Sequence, residues 1–406
     1  MKTTKFKPSE VGPVPVDWEV RKLGELFDFK NGYNADAKNY GRGTPVASVL
    51  DALAERPFKA SSIRARVSAP PRDRESFSLK RGDLIFTRSS ETLEDVGRSN
   101  VYDDEAVAMF GGFVIRGRPK TDNNSTFINL LLKTRGHRDR VMSQGAGAQH
   151  YNIGQSGLER VLVSLPPLPE QKAVAEALSD VDGLLAAMTK LIEKKHAIKQ
   201  GAMQQLLTGK KRLAGFTGKW VEKRLGDVAD FMTATTPTAS IDLRWYIGTE
   251  NMLADKAGVT QNFASVPYKV VREYIKGDVL TSNIRPYLKK IWLADRNGGC
   301  STDVLVLRTH DRAVCIPEFL VMLVSDDAFF DFAMANAVGT KMPRGDKKVL
   351  VNFEVRLPSV PEQQAIASVL SDMDSEIVAL EAEHAKYESI KQGMMQELLT
   401  GKTKIA

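Results

Sequence analysis

The chain has 406 residues, 42% hydrophobic and 26% charged, and carries a net charge of +7. That length suits two to three domains with separate cores, and the charge suits a polyanionic partner. Two cysteines, Cys300 and Cys315, exclude a disulfide framework, and the longest apolar run, Phe319 to Val324, is too short to span a bilayer.

The start, Met1-Lys2-Thr3-Thr4-Lys5, is basic, but no apolar stretch follows it, so no signal peptide is expected and a cytoplasmic location is. From about residue 18 to 166 the pattern is mixed: short strands punctuated by Gly and Pro, with a few helical stretches. This segment opens Trp18-Glu19-Val20-Arg21-Lys22-Leu23-Gly24 and contains the strand-and-turn Arg81-Gly82-Asp83-Leu84-Ile85-Phe86. Its basic residues gather at expected loops. Arg64, Arg66, Arg72 and Arg74 stand with Arg56, Lys59, Lys80 and Arg81 against only Asp73 and Glu75, and Arg88 and Arg98 follow. Clusters of this kind neutralise phosphates, and Arg also pairs with guanine edges in the major groove.

A long helix is predicted next, from Pro169 to Thr208. Proline suits the first turn, Glu170 the positive end of the helix dipole, and Gly209 the position just past the last turn. Val174, Leu178, Val181, Leu185, Met188 and Ile192 alternate steps of four and three, the spacing of a seam along which helices pack. A second mixed segment runs from about 220 to 358 and opens Trp220-Val221-Glu222-Lys223-Arg224-Leu225-Gly226. It repeats the strand-and-turn as Lys276-Gly277-Asp278-Val279-Leu280. Its DNA-contact candidates are Arg285, Tyr287, Lys289, Lys290, Lys341 and Arg344. The first segment is clearly basic and the second close to neutral. A second long helix begins at Pro361, with Ile366, Leu370, Met373, Ile377 and Leu380 on its seam.

The two helices are the same statement made twice, displaced by 192 residues (361 − 169) without a gap. Pro-Glu-Gln, Leu-Ser-Asp-x-Asp, Ile-Lys-Gln-Gly and Leu-Leu-Thr-Gly-Lys recur in order. One inserted residue would rotate every later side chain by about 100° and destroy a shared docking face. A seam requires only apolar residues, yet polar positions are retained in both copies. Asp180, Asp182, Lys199, Gln200 and Gly201, with Asp372, Asp374, Lys391, Gln392 and Gly393, are therefore partner-docking candidates. An internal glycine costs roughly 1 kcal/mol against alanine, so Gly201 and Gly393 suggest a close helix crossing or a partner's backbone.

No catalytic constellation emerges. Thr400-Gly401-Lys402-Thr403 lacks the earlier glycine of a phosphate loop and lies where a helix ends. The histidines (His137, His150, His196, His310, His384) are scattered, without metal-ligand spacing. Three readings stand on the residues alone. They are a DNA-recognition chain, a coiled-coil scaffold whose globular segments bind proteins, and an unrecognised nuclease or methyltransferase.

The ordered set of motifs resembles the specificity subunit of a type I restriction-modification system over essentially the whole chain. The carriers are Leu165-Pro166-Pro167-Leu168-Pro169-Glu170-Gln171 with its echo Leu357-Pro358-Ser359-Val360-Pro361-Glu362-Gln363, and the two Leu-Leu-Thr-Gly-Lys ends. Ile284-Arg285-Pro286-Tyr287-Leu288, Gly299 to Leu307, and Gln149-His150-Tyr151-Asn152-Ile153 add to it. Arg88 to Gly97 departs from the family pattern by carrying more acid. The resemblance implies an α+β fold in which two mixed α/β target-recognition domains, 1–166 and 211–358, alternate with conserved helices, 167–210 and 359–406. The helices would pair as an antiparallel coiled coil and place the recognition domains at opposite ends. It further implies double-stranded DNA, two methyltransferase subunits and restriction subunits as partners, with no membrane. S-adenosylmethionine, ATP and Mg would sit on those subunits, with no cofactor, metal or catalytic residue on this chain.

Overall fold

The computed structural model describes residues 5–147, 150–339 and 341–405. Met1 to Thr4 and Gln149, used above, lie outside the described residues. The chain forms two compact units: residues 1–189 with 382–406, and residues 190–381. The boundary runs through the long helices, Leu168–Leu206 and Val360–Leu398, each of 39 residues and so about 58 Å long. Each unit therefore contains one globular segment, the N-terminal half of one helix and the C-terminal half of the other.

In the first unit an antiparallel four-stranded sheet has the order Phe27–Asn31, Val114–Pro119, Leu84–Thr87, Ser99–Val101. The second unit repeats that order with Ala229–Phe231, Val304–Thr309, Val279–Ser282 and Ile291–Leu293. The inner strands are short apolar runs buried along their length, such as Leu84-Ile85-Phe86-Thr87, as a sheet covered on both faces requires. A helix pair covers one side of each: Ser125–Lys133 with Arg135–Met142, and Pro317–Ser325 with Asp327–Ala335. The apolar run Phe319 to Val324 is the heart of one of these helices. A smaller sheet carries the loops, built on Tyr40–Ala47 in the first unit and Val270–Tyr274 in the second.

The sequence motifs common to both halves are the joints of this frame. Asp83 accepts from the Lys80 amide and pairs two-pronged with Arg118 (3.0 and 2.7 Å); Asp278 accepts from the Ile275 amide and pairs with Arg308 (2.7 and 2.7 Å). Gly82 and Gly277 precede them at φ 86° and 92°, a left-handed conformation that glycine adopts without cost. The Gly-Asp turn thus ties two neighbouring strands of each sheet together.

The Pro-Glu-Gln motif fastens each long helix to its globular segment. Gln171 is buried; its carbonyl accepts from the Asn124 amide (2.9 Å) and its amide donates to the Pro166 carbonyl (2.9 Å). Gln363 accepts from the Ile316 amide (3.0 Å) and donates to the carbonyls of Val314 (2.8 Å) and Pro358 (3.0 Å). Buried polar backbone must find partners, and these glutamines supply them at the two helix entries. Behind them, Val174 and Leu178 pack with Leu398 and Leu399 in one core, and Ile366 and Leu370 pack with Leu206 and Leu207 in the other.

Candidate nucleic-acid interface

In the first unit, Arg66 lies on the edge strand Arg66–Val67, opposite Pro45. Strand alternation turns Val67 into the core and Arg66 to solvent. Arg64 precedes it on the same exposed run, and Arg72 and Arg74 sit on the short helix Pro71–Ser76. All four are exposed, and none has a side-chain hydrogen bond or ion pair within the described residues. Arg88 is half-buried, its main chain bonded to Phe113 and Ile153 while its guanidinium has no partner there. Arg98 differs, being paired with Asp95 (3.2 Å) and Glu55 (3.7 Å). Arg56 donates to the Asp182 carbonyl (2.7 Å), so it tethers the globular segment to the long helix.

In the second unit the candidates converge on one strained turn. Pro286–Leu288 forms a short 3-10 turn between Arg285 (φ 54°) and Lys289 (φ 49°). Beside it lie Asp255 (φ 54°) and Lys256 (φ 66°), whose amides donate to the carbonyls of Leu288 and Lys289 (2.9 Å each). These four are the non-glycine residues of positive φ among the described residues. Each such conformation costs on the order of 1 kcal/mol, and strain of this kind gathers at functional sites. Asp327 holds the turns together, accepting from Lys256 (2.8 Å) and Lys289 (3.0 Å), and these two cations hold its carboxyl below the usual carboxylate range. Lys256 and Asp327 carry no sequence signal, because they lie 71 residues apart.

The turn presents Tyr287, 51% exposed, and an exposed Arg285. The Arg285 amide donates to the Pro343 carbonyl (2.9 Å), and Ile284 bridges to Arg344. The structure therefore brings together Arg285, Tyr287 and the 341–344 loop with its exposed Lys341 and Arg344, the latter paired to Asp303 (3.2 Å). Lys289 and Lys290 are committed inward, the first to Asp327 and the second to the Thr249 carbonyl (2.7 Å).

On the helices, Lys391 pairs with Asp182 (2.6 Å) in the first unit, and Lys199 pairs with Asp374 in the second. Displacing one pair by 192 residues gives the other. In the first unit Thr189 also meets His384 (3.1 Å), and in the second Lys195 meets Glu376 (2.5 Å). Rising numbers on one helix meet falling numbers on the other, so the helix halves within each unit run antiparallel. Asp180, Gln200, Asp372 and Gln392 are exposed and free of such pairs within the described residues. A Cβ built on Gly201 or Gly393 meets nothing within 4 Å, so a close crossing inside the chain, one of the two expectations for these glycines, is corrected.

Among the described residues no group of three or more His, Cys, Asp or Glu is placed to hold a metal. Nor is any helix among the described residues long and apolar enough to cross a membrane.

Residues 15–197 and 217–392 each match the family model described as the type I restriction modification DNA specificity domain. The chain is 24% identical, over its full length and 98% of the relative, to the putative type I restriction enzyme MjaX specificity subunit of Methanocaldococcus jannaschii. It is 22% identical to the type I restriction enzyme EcoDI specificity subunit of Escherichia coli, over 87% of this chain and 81% of that one. In fold it resembles the S subunit of a type I restriction-modification system from M. genitalium. The TM-score is 0.60 at 15% identity, covering 98% of this chain and 99% of the other.

Proposed function

The chain belongs to the type I restriction-modification DNA specificity family, as a non-catalytic DNA-recognition subunit, and we propose that each of its globular segments reads one half of a bipartite DNA site. The recognition domains are residues 1–166 and 211–358, and the conserved helices are 167–210 and 359–406. The observation that carries this reading is one frame with two unlike loop sets. Sheet order, Gly-Asp brackets and buried glutamines recur, whereas the loop side chains do not. The first unit offers Arg64, Arg66, Arg72, Arg74 and Arg88; the second offers Arg285, Tyr287, Lys341 and Arg344. Different loops on a common frame favour two different half-sites, hence an asymmetric target.

The long helices dock two methyltransferase subunits and fix the spacing between the half-sites. Their exposed polar residues Asp180, Gln200, Asp372 and Gln392, and the open space at Gly201 and Gly393, support that role. So do Leu184, Leu191 and Ile198, which remain 39–47% exposed at seven-residue intervals along one helix. Restriction subunits join the same complex. S-adenosylmethionine, ATP and Mg belong to those partners.

Charge reversal at Arg64, Arg66, Arg72 and Arg74, in the complex with the methyltransferase subunits, tests the DNA contact. DNA binding is expected to fall and its salt dependence to become shallower, because fewer counterions are released per complex. Unchanged DNA affinity and salt slope would refute the assignment.

A further inference from the structure

The strand Tyr40–Ala47 does not run straight. Tyr40 and Thr44 are both in register with Val67 of the neighbouring strand, so Gly41, Arg42 and Gly43 are extruded from the ladder as a three-residue bulge. The stem is fixed below and above it. Ser68 donates to the Asn39 carbonyl (2.8 Å) and Val46 donates to the Ala65 carbonyl (3.0 Å). Both glycines take left-handed conformations, φ 93° and 96°. At Gly43 a Cβ would stand 2.6 Å from the Val67 carbonyl oxygen, so only glycine fits. Gly41 has open space around it, and its φ alone sets the residue type.

The product of this construction is one side chain. Arg42 is exposed and has neither a hydrogen bond nor an ion pair among the described residues. Beside it on the stem Tyr40 is 44% exposed, and across the ladder, opposite Pro45, lies Arg66. Bulges of this sort re-aim a side chain away from the sheet plane. An unpaired guanidinium keeps all five donors in a planar fork, the geometry that grips the O6 and N7 edge of guanine. Arg66 stands on the edge strand itself and Arg64 two residues before it, both exposed without a bulge beneath them, where they suit phosphates.

We propose that Arg42 is a specificity-determining residue, which reads a guanine in the major groove of the half-site bound by the first recognition domain. The inference rests on the DNA-recognition reading above. It separates two roles within one basic surface: Arg64 and Arg66 position the duplex, and Arg42 selects the base.

The test uses the full chain with its methyltransferase subunits in a methylation-free bacterial host, with methylated motifs mapped across the host genome. Arg42→Ala is expected to make a single G·C position in one half of the motif degenerate, lowering discrimination there about tenfold to a hundredfold. Arg42→Lys keeps the charge but not the fork and is expected to relax the same position. Arg66→Ala is expected to lower methylation at all sites without changing the motif. Both glycines stay in place, so the bulge itself is undisturbed. If the unaltered complex reads a motif and both Arg42 variants leave it intact, the inference fails alone. It also fails if they weaken every sequence equally. A wild-type complex with no sequence preference would instead overturn the recognition reading, and this inference with it.

Discussion

Lys391 and Asp182 form an ion pair at 2.6 Å, and 192 residues away in the repeat the same two residue types meet again as Lys199 and Asp374. Each pair joins the C-terminal half of one long helix to the N-terminal half of the other within a single unit. Of the charges retained in both copies, Asp182, Lys391, Lys199 and Asp374 therefore have a partner inside the chain. Asp182 and Lys391 are each less than a quarter exposed, which lifts the pair above an ordinary surface bridge. Asp182→Lys or Lys391→Asp is expected to destabilise the first unit by about 1 kcal/mol, and the double exchange to restore part of that loss. A double-mutant cycle in thermal unfolding measures the coupling; a value indistinguishable from zero would show that the pair does not hold the helices.

Gln363→Ala removes three hydrogen bonds at the entry to the second long helix and leaves the Ile316 amide and two carbonyls without partners. Unpaired buried groups of this kind cost roughly 1–3 kcal/mol, and the expected loss is toward the upper end. Gln171→Ala is expected to act in the same direction on the first unit. Hydrogen exchange at the amide of Ile316 checks the first directly: exchange at the wild-type rate would contradict the bracket.

Asp278→Asn breaks a two-pronged pair whose carboxylate is almost fully buried. The expected destabilisation is about 3 kcal/mol, because Arg308 keeps its charge without its partner. Asp83→Asn is expected to match it in the first unit, since Arg118 plays the same part. Denaturant unfolding of the two variants compares them. A loss confined to one would mean that the repeated turn does not serve both units alike.

His137 is buried, and burial pushes its imidazole down to about 3. The Thr134 hydroxyl donates to the Leu131 carbonyl (2.7 Å), so it accepts from His137 Nδ1 (3.0 Å) and fixes the neutral tautomer. Unfolded histidine takes up its proton near pH 6.5, and the folded one only near pH 3. The contribution to stability is thus complete above about pH 6.5 and declines as pH falls toward 3. His137→Gln is expected to flatten the pH dependence of unfolding in that window, whatever its effect at neutral pH. An unaltered slope between pH 4 and 6.5 would contradict the assignment.

The long helices are legible in sequence almost to the residue. Pro169 and Pro361 mark their first turns and Gly209 and Gly401 their ends, with φ 69° and 68° just past the last turn. The signals are local: proline, glycine and a repeating apolar spacing. The joints are not legible, because their partners are distant. Gln171 reaches an amide 47 residues away, and Asp182 meets a lysine on the other long helix. Composition could gather Arg56, Arg64, Arg66, Arg72 and Arg74 into one basic cluster, but it could not separate Arg56, tied to the helix backbone, from those left unpaired. Arg42 lies outside that cluster, and its only sequence mark is a glycine on either side. The strained turn under Tyr287 depends on Asp255, Lys256 and Asp327, which no spacing rule connects.

That two unlike recognition domains read two halves of one DNA site is tested most directly by a genome-wide map of methylated bases. The chain is co-expressed with its methyltransferase subunits in a methylation-free host, beside variants at Arg64 with Arg66 and at Tyr287 with Arg285. A gapped motif with two unlike halves is predicted, with Tyr287→Ala combined with Arg285→Ala altering one half only. Lengthening the helix between Met188 and Gln200 by whole turns is predicted to widen the gap and leave both halves as they were. A short continuous motif, or a helix insertion that changes a half-site while the gap stays fixed, would contradict it.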